Sequence, residues 1–179
     1  MRRIAKRFLI VTLIEIPIFC ILTGVVLCEG TLRPRHQWVP DSPAEIIGEG
    51  FPWHAATITA TDGATLKAWF LEPPHPTHAC TMVLHGIGDS RSGSIGFAPM
   101  FLRRGDSVLV PDIRAHGQSG GKITTFGLLE ARDTALWIAW LRAHDCAKVY
   151  GLGESLGAAI ALQTAGFDAI AAPSDSPSP

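Results

Sequence analysis

The sequence predicts an α/β fold: a mostly parallel sheet with flanking helices, opened by a hairpin and preceded by one transmembrane helix. Three observations carry this. The short β-branched runs CTMVLH (80–85), SVLVPD (107–112) and KVYGLG (148–153) alternate with amphipathic stretches, which is the pattern of a buried parallel sheet. HAATITATDGATLKAWFLEPP (54–74) reads as two strands joined at Asp62-Gly63, a hairpin turn signal. Phe8 to Cys28 is an apolar stretch whose only ionisable interior residue besides the cysteines is Glu15, and its length as a helix, about 30 Å, matches a bilayer core.

Taken in order, residues 1–29 read as a membrane anchor. Arg2, Arg3, Lys6 and Arg7 precede the apolar run, which favours a cytoplasmic N-terminus and an extracytoplasmic remainder; Arg33 and Arg35 on the far side weaken that bias. An anchor is favoured over a cleaved signal peptide. The run exceeds the usual 7–15 residues, and Cys28-Glu29-Gly30 is a poor small-x-small cleavage site. Glu15 and Pro17 interrupt the run, and a carboxylate at membrane depth costs about 3 kcal/mol unless paired or protonated. Its position near the cytoplasmic end makes a tolerated polar residue the simpler reading than a helix-helix contact.

A polar, proline-punctuated linker (30–50) leads into a domain over 51–172. Helices are expected at Ser94–Arg104, Thr125–Ala143 and Ser155–Ala165. In the middle one Leu129, Leu136, Ala139 and Ala143 recur at helical spacing, with Glu130 and Asp133 or Thr134 facing outward. Trp137 and Trp140 read as packing residues. FDAIAA (167–172) reads as the start of a sixth strand, and PSDSPSP (173–179) as a disordered low-complexity tail.

Composition narrows the function. With 15 basic against 16 acidic residues, the net charge of -1 supplies no footprint for a nucleic-acid backbone. Cys20, Cys28, Cys80 and Cys146 show no CxxC or Cys/His spacing, so they read as free thiols and not as a zinc site or disulfide framework. No metal and no organic cofactor is implied.

The chemistry centres on Gly153-Glu154-Ser155-Leu156-Gly157, a G-x-S-x-G sequence between a strand and an alanine-rich helix. A serine at a sharp strand-to-helix turn projects its Oγ above the sheet, and the N–H of Leu156 then points at a substrate oxyanion. His85 and Gly86 end the third strand, where the N–H of Ile87 completes a two-donor hole. A phosphate cradle starting at Gly151-Leu152-Gly153 is the competing reading. Its G-x-G-x-x-G spacing requires glycine at position 156, where leucine stands, and no GK[ST] follows.

With TDGATLKAWF, VLHGIGDSRSG, PDIRAHGQSGG and GLGESLGAAIAL, the chain from His54 to Ala172 resembles the α/β-hydrolase superfamily. It is most similar to membrane-anchored bacterial hydrolases akin to serine aminopeptidases and monoacylglycerol lipases. The resemblance implies Ser155 as nucleophile and Ile87 and Leu156 as oxyanion donors. It also implies site-shaping roles for His85, Gly86, Gly153 and Gly157, and for Asp112, Arg114, His116 and Gly117 in the loop after the fourth strand. The substrate would be a small-molecule ester or amide.

One departure stands out. In that family an acid and then a histidine follow the serine, whereas here Asp168 and Asp175 follow Ser155 and the last histidine is His144. The expectation is a hydrolase incomplete at its C-terminus, truncated or frameshifted, with weak or absent activity. The non-enzymatic alternative is a membrane-tethered binding module or a remnant.

Overall fold

The computed structural model describes residues 2–48 and 50–171 and divides into two units, Met1–Arg33 and Pro34–Pro179. The first holds one helix, α1 (Arg2–Leu32), which accommodates Pro17. Its Val11–Leu32 portion is long and apolar enough to cross a membrane.

The second unit is built on five strands: β1 (Trp53–Thr59), β2 (Thr65–Leu71), β3 (Ala79–Leu84), β4 (Ser107–Pro111) and β5 (Lys148–Gly153). Their order in the sheet is β1-β2-β4-β3-β5. The expected hairpin forms, with Ala60 and Ala64 bonded across the turn and the Asp62 carboxylate accepting the Ala64 N–H. β2 runs antiparallel to β4, while β3 lies parallel to both β4 and β5. Because parallel strands need a crossover, the chain between β3 and β4 and between β4 and β5 supplies helices.

One apolar cluster gathers Trp69, Leu71, Val83, Ile95, Leu102, Val108 and Val110. The other gathers Leu66, Phe70, Met82, Leu84, Leu109, Trp137, Leu141 and Ile160. The linker carries one short helix, α2 (Ala44–Ile47); its Val39 packs into the first cluster, and His36 Nδ1 lies 2.7 Å from the Gly117 carbonyl. The linker is therefore tied to the domain surface.

Four expectations are corrected. The stretch 94–104 is not one helix: α3 (Arg91–Ser94) passes through a 3-10 turn (Ile95–Phe97) into α4 (Ala98–Arg104). The middle helix, α5 (Glu130–Ala143), begins five residues late, and Glu130, Asp133 and Thr134 face inward with Trp137 and Leu141. They are buried because each has a polar partner there, which a hydrophobic pattern cannot register. FDAIAA does not begin a strand, since α6 (Leu156–Ala171) continues through 167–171 and residue 172 lies outside the described residues; alanine and leucine content sustains the helix. The tail 173–179 lies outside the described residues.

The fourth correction concerns the thiols. Cys80 and Cys146 form a disulfide with Cα atoms 5.5 Å apart, leaving Cys20 and Cys28 free. The pairing arises from sheet register: Cys80 stands opposite Val149 in the β3–β5 ladder, and the turn entering β5 brings Cys146 alongside. Nothing in local spacing anticipates a bond across 66 residues.

Trp137 and Trp140 behave as expected, packing edge-to-face at 5.9 Å, with Trp140 also against Phe70 at 5.2 Å. Closing a 66-residue loop restricts the unfolded chain. Replacing both Cys80 and Cys146 by alanine is expected to lower the unfolding free energy by about 4 kcal/mol, measured by urea unfolding in detergent.

Candidate active site

β5 ends at Gly153 and α6 begins at Leu156, so the chain reverses within two residues. The turn is held by Glu154 N–H donating to the Leu84 carbonyl (3.1 Å) and Gly157 N–H donating to the Glu154 carbonyl (2.8 Å). Ser155 sits between with φ of +47°, a left-handed conformation that a residue with a side chain adopts only at a cost. Its side chain is exposed.

The flanking glycines have a steric cause. A Cβ on Gly157 would run into the carbonyls of Leu84 and His85 at the end of β3, and one on Gly153 would strike the backbone of Gly157 and Ala158. The pattern G-x-S-x-G is thus the imprint of α6 starting in direct backbone contact with β3.

That contact brings the β3 loop beside the serine. A Cβ on Gly86 would lie 3.7 Å from the Ser155 Cβ. Ile87, the next residue, is exposed at 38%, whereas Leu156 is buried at 7%. Neither the Ile87 nor the Leu156 N–H donates to a turn or loop carbonyl among the described residues.

Two buried histidines hold this loop. His85 places Nδ1 2.7 Å from the Gly86 carbonyl, and its Nε2 accepts the Ile113 N–H at 2.9 Å. His116 places Nδ1 2.8 Å from the Arg114 carbonyl, and its Nε2 accepts the Gly88 N–H at 3.1 Å. A carbonyl only accepts and an amide only donates, so each ring is neutral with its proton on Nδ1. The rings meet edge-to-face at 5.1 Å.

The loop after β4 is anchored by buried charge. Asp112 accepts from Arg91 N–H (2.7 Å), Arg91 Nη1 (3.0 Å) and Gln118 N–H (2.7 Å). Arg91 also donates to Gln118 Oε1 (2.6 Å) and lies 4.7 Å over the Trp69 ring. Arg114 spans Asp133 through two bonds (2.6 and 2.9 Å) and Asp62 through a third (2.9 Å). Burial opposes its charge, but the hydrogen bonds it donates to Asp133 and Asp62 prevail and raise its pKa.

Glu130 accepts from Thr124, Thr125 and Gly127 and fixes the segment before α5. Although burial pushes its carboxyl up, bonds from Thr125 and Gly127 hold it below the usual range. Among the described residues no three His, Cys, Asp or Glu side chains converge to hold a metal ion.

Of the residues singled out from sequence, Gly153, Ser155, Leu156 and Gly157 gather with His85, Gly86 and Ile87 at the carboxyl ends of β3 and β5. Asp112 accepts from the Arg91 and Gln118 amides, and His116 reaches the same loop through the Gly88 N–H. Asp168 lies on α6, and Asp175 lies outside the described residues. Arg91, Glu130 and Asp133 were not anticipated as site supports; an acidic pair placed on an otherwise apolar helix face was the available signal.

The sequence profile of the α/β-hydrolase fold matches residues 82–173. YqkD of Bacillus subtilis is 34% identical over 114 residues, covering 63% of this chain and 37% of that protein. Rv2307c of Mycobacterium tuberculosis is 31% identical over 148 residues, covering 79% and 52%. Among solved structures, the Pyrococcus furiosus esterase Pf2001 superimposes with a TM-score of 0.64 at 28% identity, over 74% of this chain and 52% of that one. A carboxyl esterase of Bacillus coagulans, at 19% identity and a TM-score of 0.58, shares the fold. The chain thus spans about half the length of these proteins, or less.

Gly157→Ala, overpacked against backbone that cannot yield, is expected to lose about 1–3 kcal/mol or more of stability, seen as a lowered thermal midpoint. Burial depresses the His85 and His116 imidazoles despite opposing hydrogen bonds to Gly86 and Arg114. Below about pH 6.5 the unfolded chain therefore binds protons that the folded domain refuses. Stability is expected to be level above that pH and to decline progressively beneath it, measured by unfolding midpoints between pH 8 and 5.

Proposed function

We infer, from a chain that belongs to the α/β-hydrolase fold family, that Ser155 is the nucleophile of a serine hydrolase acting on an ester or amide. The observation supporting this most directly is the exposed, left-handed Ser155 set against the Gly86 loop. In this reading Ser155 Oγ attacks the substrate carbonyl, and the oxyanion accepts from the N–H groups of Ile87 and Leu156. Collapse expels the alcohol or amine and leaves an acyl-serine, which water cleaves to the acid. Two preorganised donors contribute several kcal/mol to such a reaction.

The attack needs a base to take the hydroxyl proton. His85 and His116 do not serve, since both nitrogens of each ring are engaged elsewhere. Turnover by this chain is accordingly proposed to be weak, at the level an oxyanion hole and binding sustain without a base, about 10³- to 10⁴-fold over water. The engagement of both rings elsewhere also favours a second reading, a non-catalytic membrane-tethered binding module.

We further propose that α1 is a single-pass anchor with its basic end cytoplasmic and the domain outside. The Arg2, Arg3, Lys6 and Arg7 cluster supports this orientation. So does the Cys80–Cys146 disulfide, a bond that persists in oxidising compartments.

Labelling with a fluorophosphonate probe tests the reading. The expected result is covalent modification of the wild-type chain that Ser155→Ala abolishes. A folded domain that takes up no probe would overturn the hydrolase assignment in favour of the binding module.

A further inference from the structure

The loop that faces Ser155 is gripped on both sides of Ile87. On one side His85 Nδ1–H donates to the Gly86 carbonyl; on the other His116 Nε2 accepts the Gly88 N–H. Both rings are rooted in the chain after β4, His85 through the Ile113 N–H and His116 through the Arg114 carbonyl. That chain is in turn fixed by the Asp112–Arg91 and Arg114–Asp133 pairs. The two imidazoles thus hold the peptide groups on either side of Ile87.

Resting on the serine-hydrolase reading, we propose that His116 is a positioning residue: its unprotonated Nε2 holds the Gly88 amide and thereby aims the Ile87 N–H at the oxyanion. Protonation reverses the contact, because an N–H then faces an N–H and the grip on Gly88 is lost. The loop slackens and acylation of Ser155 slows on the acid side.

The groups surrounding His116 set this response. Burial and His36 oppose its protonated form, while the Arg114 carbonyl and the Asp112 and Glu130 carboxylates favour it. Asp112 is already paired with Arg91, and Glu130 is saturated by Thr124, Thr125 and Gly127. The adjoining His85 ring, 5.1 Å away, disfavours a second positive charge.

The experiment compares wild type, His116→Ala and His116→Gln as full chains in detergent, between pH 8 and 5. The glutamine carbonyl replaces Nε2 as acceptor for the Gly88 N–H without titrating. Two quantities are read: the rate of fluorophosphonate labelling of Ser155, and amide exchange of the 86–89 segment by mass spectrometry. The wild type is expected to label more slowly and exchange faster as pH falls below the ordinary imidazole range. At pH 8 His116→Ala is expected to label at least tenfold more slowly with raised exchange. His116→Gln should restore labelling to within a few-fold of wild type and remove the acid-side fall.

Wild-type rates and exchange retained in a folded His116→Ala would overturn the proposal, as would an unchanged acid limb in His116→Gln. If Ser155 labels at no pH while exchange still tracks His116, the hydrolase reading fails and the clasp on Gly88 stands.

Discussion

The domain turns on one close approach, the first turn of α6 against the last residues of β3 with no side chain between them. Gly157 meets the carbonyls of Leu84 and His85, and the Glu154 N–H is satisfied by the same Leu84 carbonyl. Once those backbones touch, the two-residue reversal between β5 and α6 has little freedom left, and Ser155 is driven to positive φ. The strain is local; the packing of Ile160 and Leu156 into the core offsets it. A helix held off by even one methyl group would relax the turn and carry the hydroxyl away from the Gly86 loop.

Behind that contact lies a polar framework. Arg91, Asp112, Arg114, Asp133 and Glu130 are all buried, and nearly all their polar atoms find partners, Arg91 Nε excepted. Buried ion pairs add little net stability, but removing one partner strands the other. Here they join parts of the chain far apart in sequence: Arg114 connects the hairpin turn at Asp62 to α5. Their contribution is to make the loops at the carboxyl ends of the strands adopt one arrangement.

Much of this was legible in the sequence, for identifiable reasons. Strands written as CTMVLH and SVLVPD are buried on both faces and need no partner information to be recognised, and Asp62-Gly63 sets the hairpin by local turn chemistry. The turn at Ser155 was legible because its glycines answer to a steric demand only a few residues wide. What escaped depends on distant partners. Glu130 and Asp133 look like solvent-facing charges until Arg114 and Thr124 arrive from elsewhere. Cys80 and Cys146 look unrelated until β3 and β5 align. Residues 167–171 carry a strand-like composition that the preceding helix simply extends through.

Among the described residues β5 lies at the rim of the sheet, paired with β3 alone, and a rim strand is the first to peel away. The bond between Cys80 and Cys146 rivets that strand to the sheet's interior. A protease that nicks the chain anywhere between the two sulfurs, such as in the glycine-bearing stretch ahead of α5, leaves both pieces fastened together. The cut would pass unnoticed on a gel until a reductant was added.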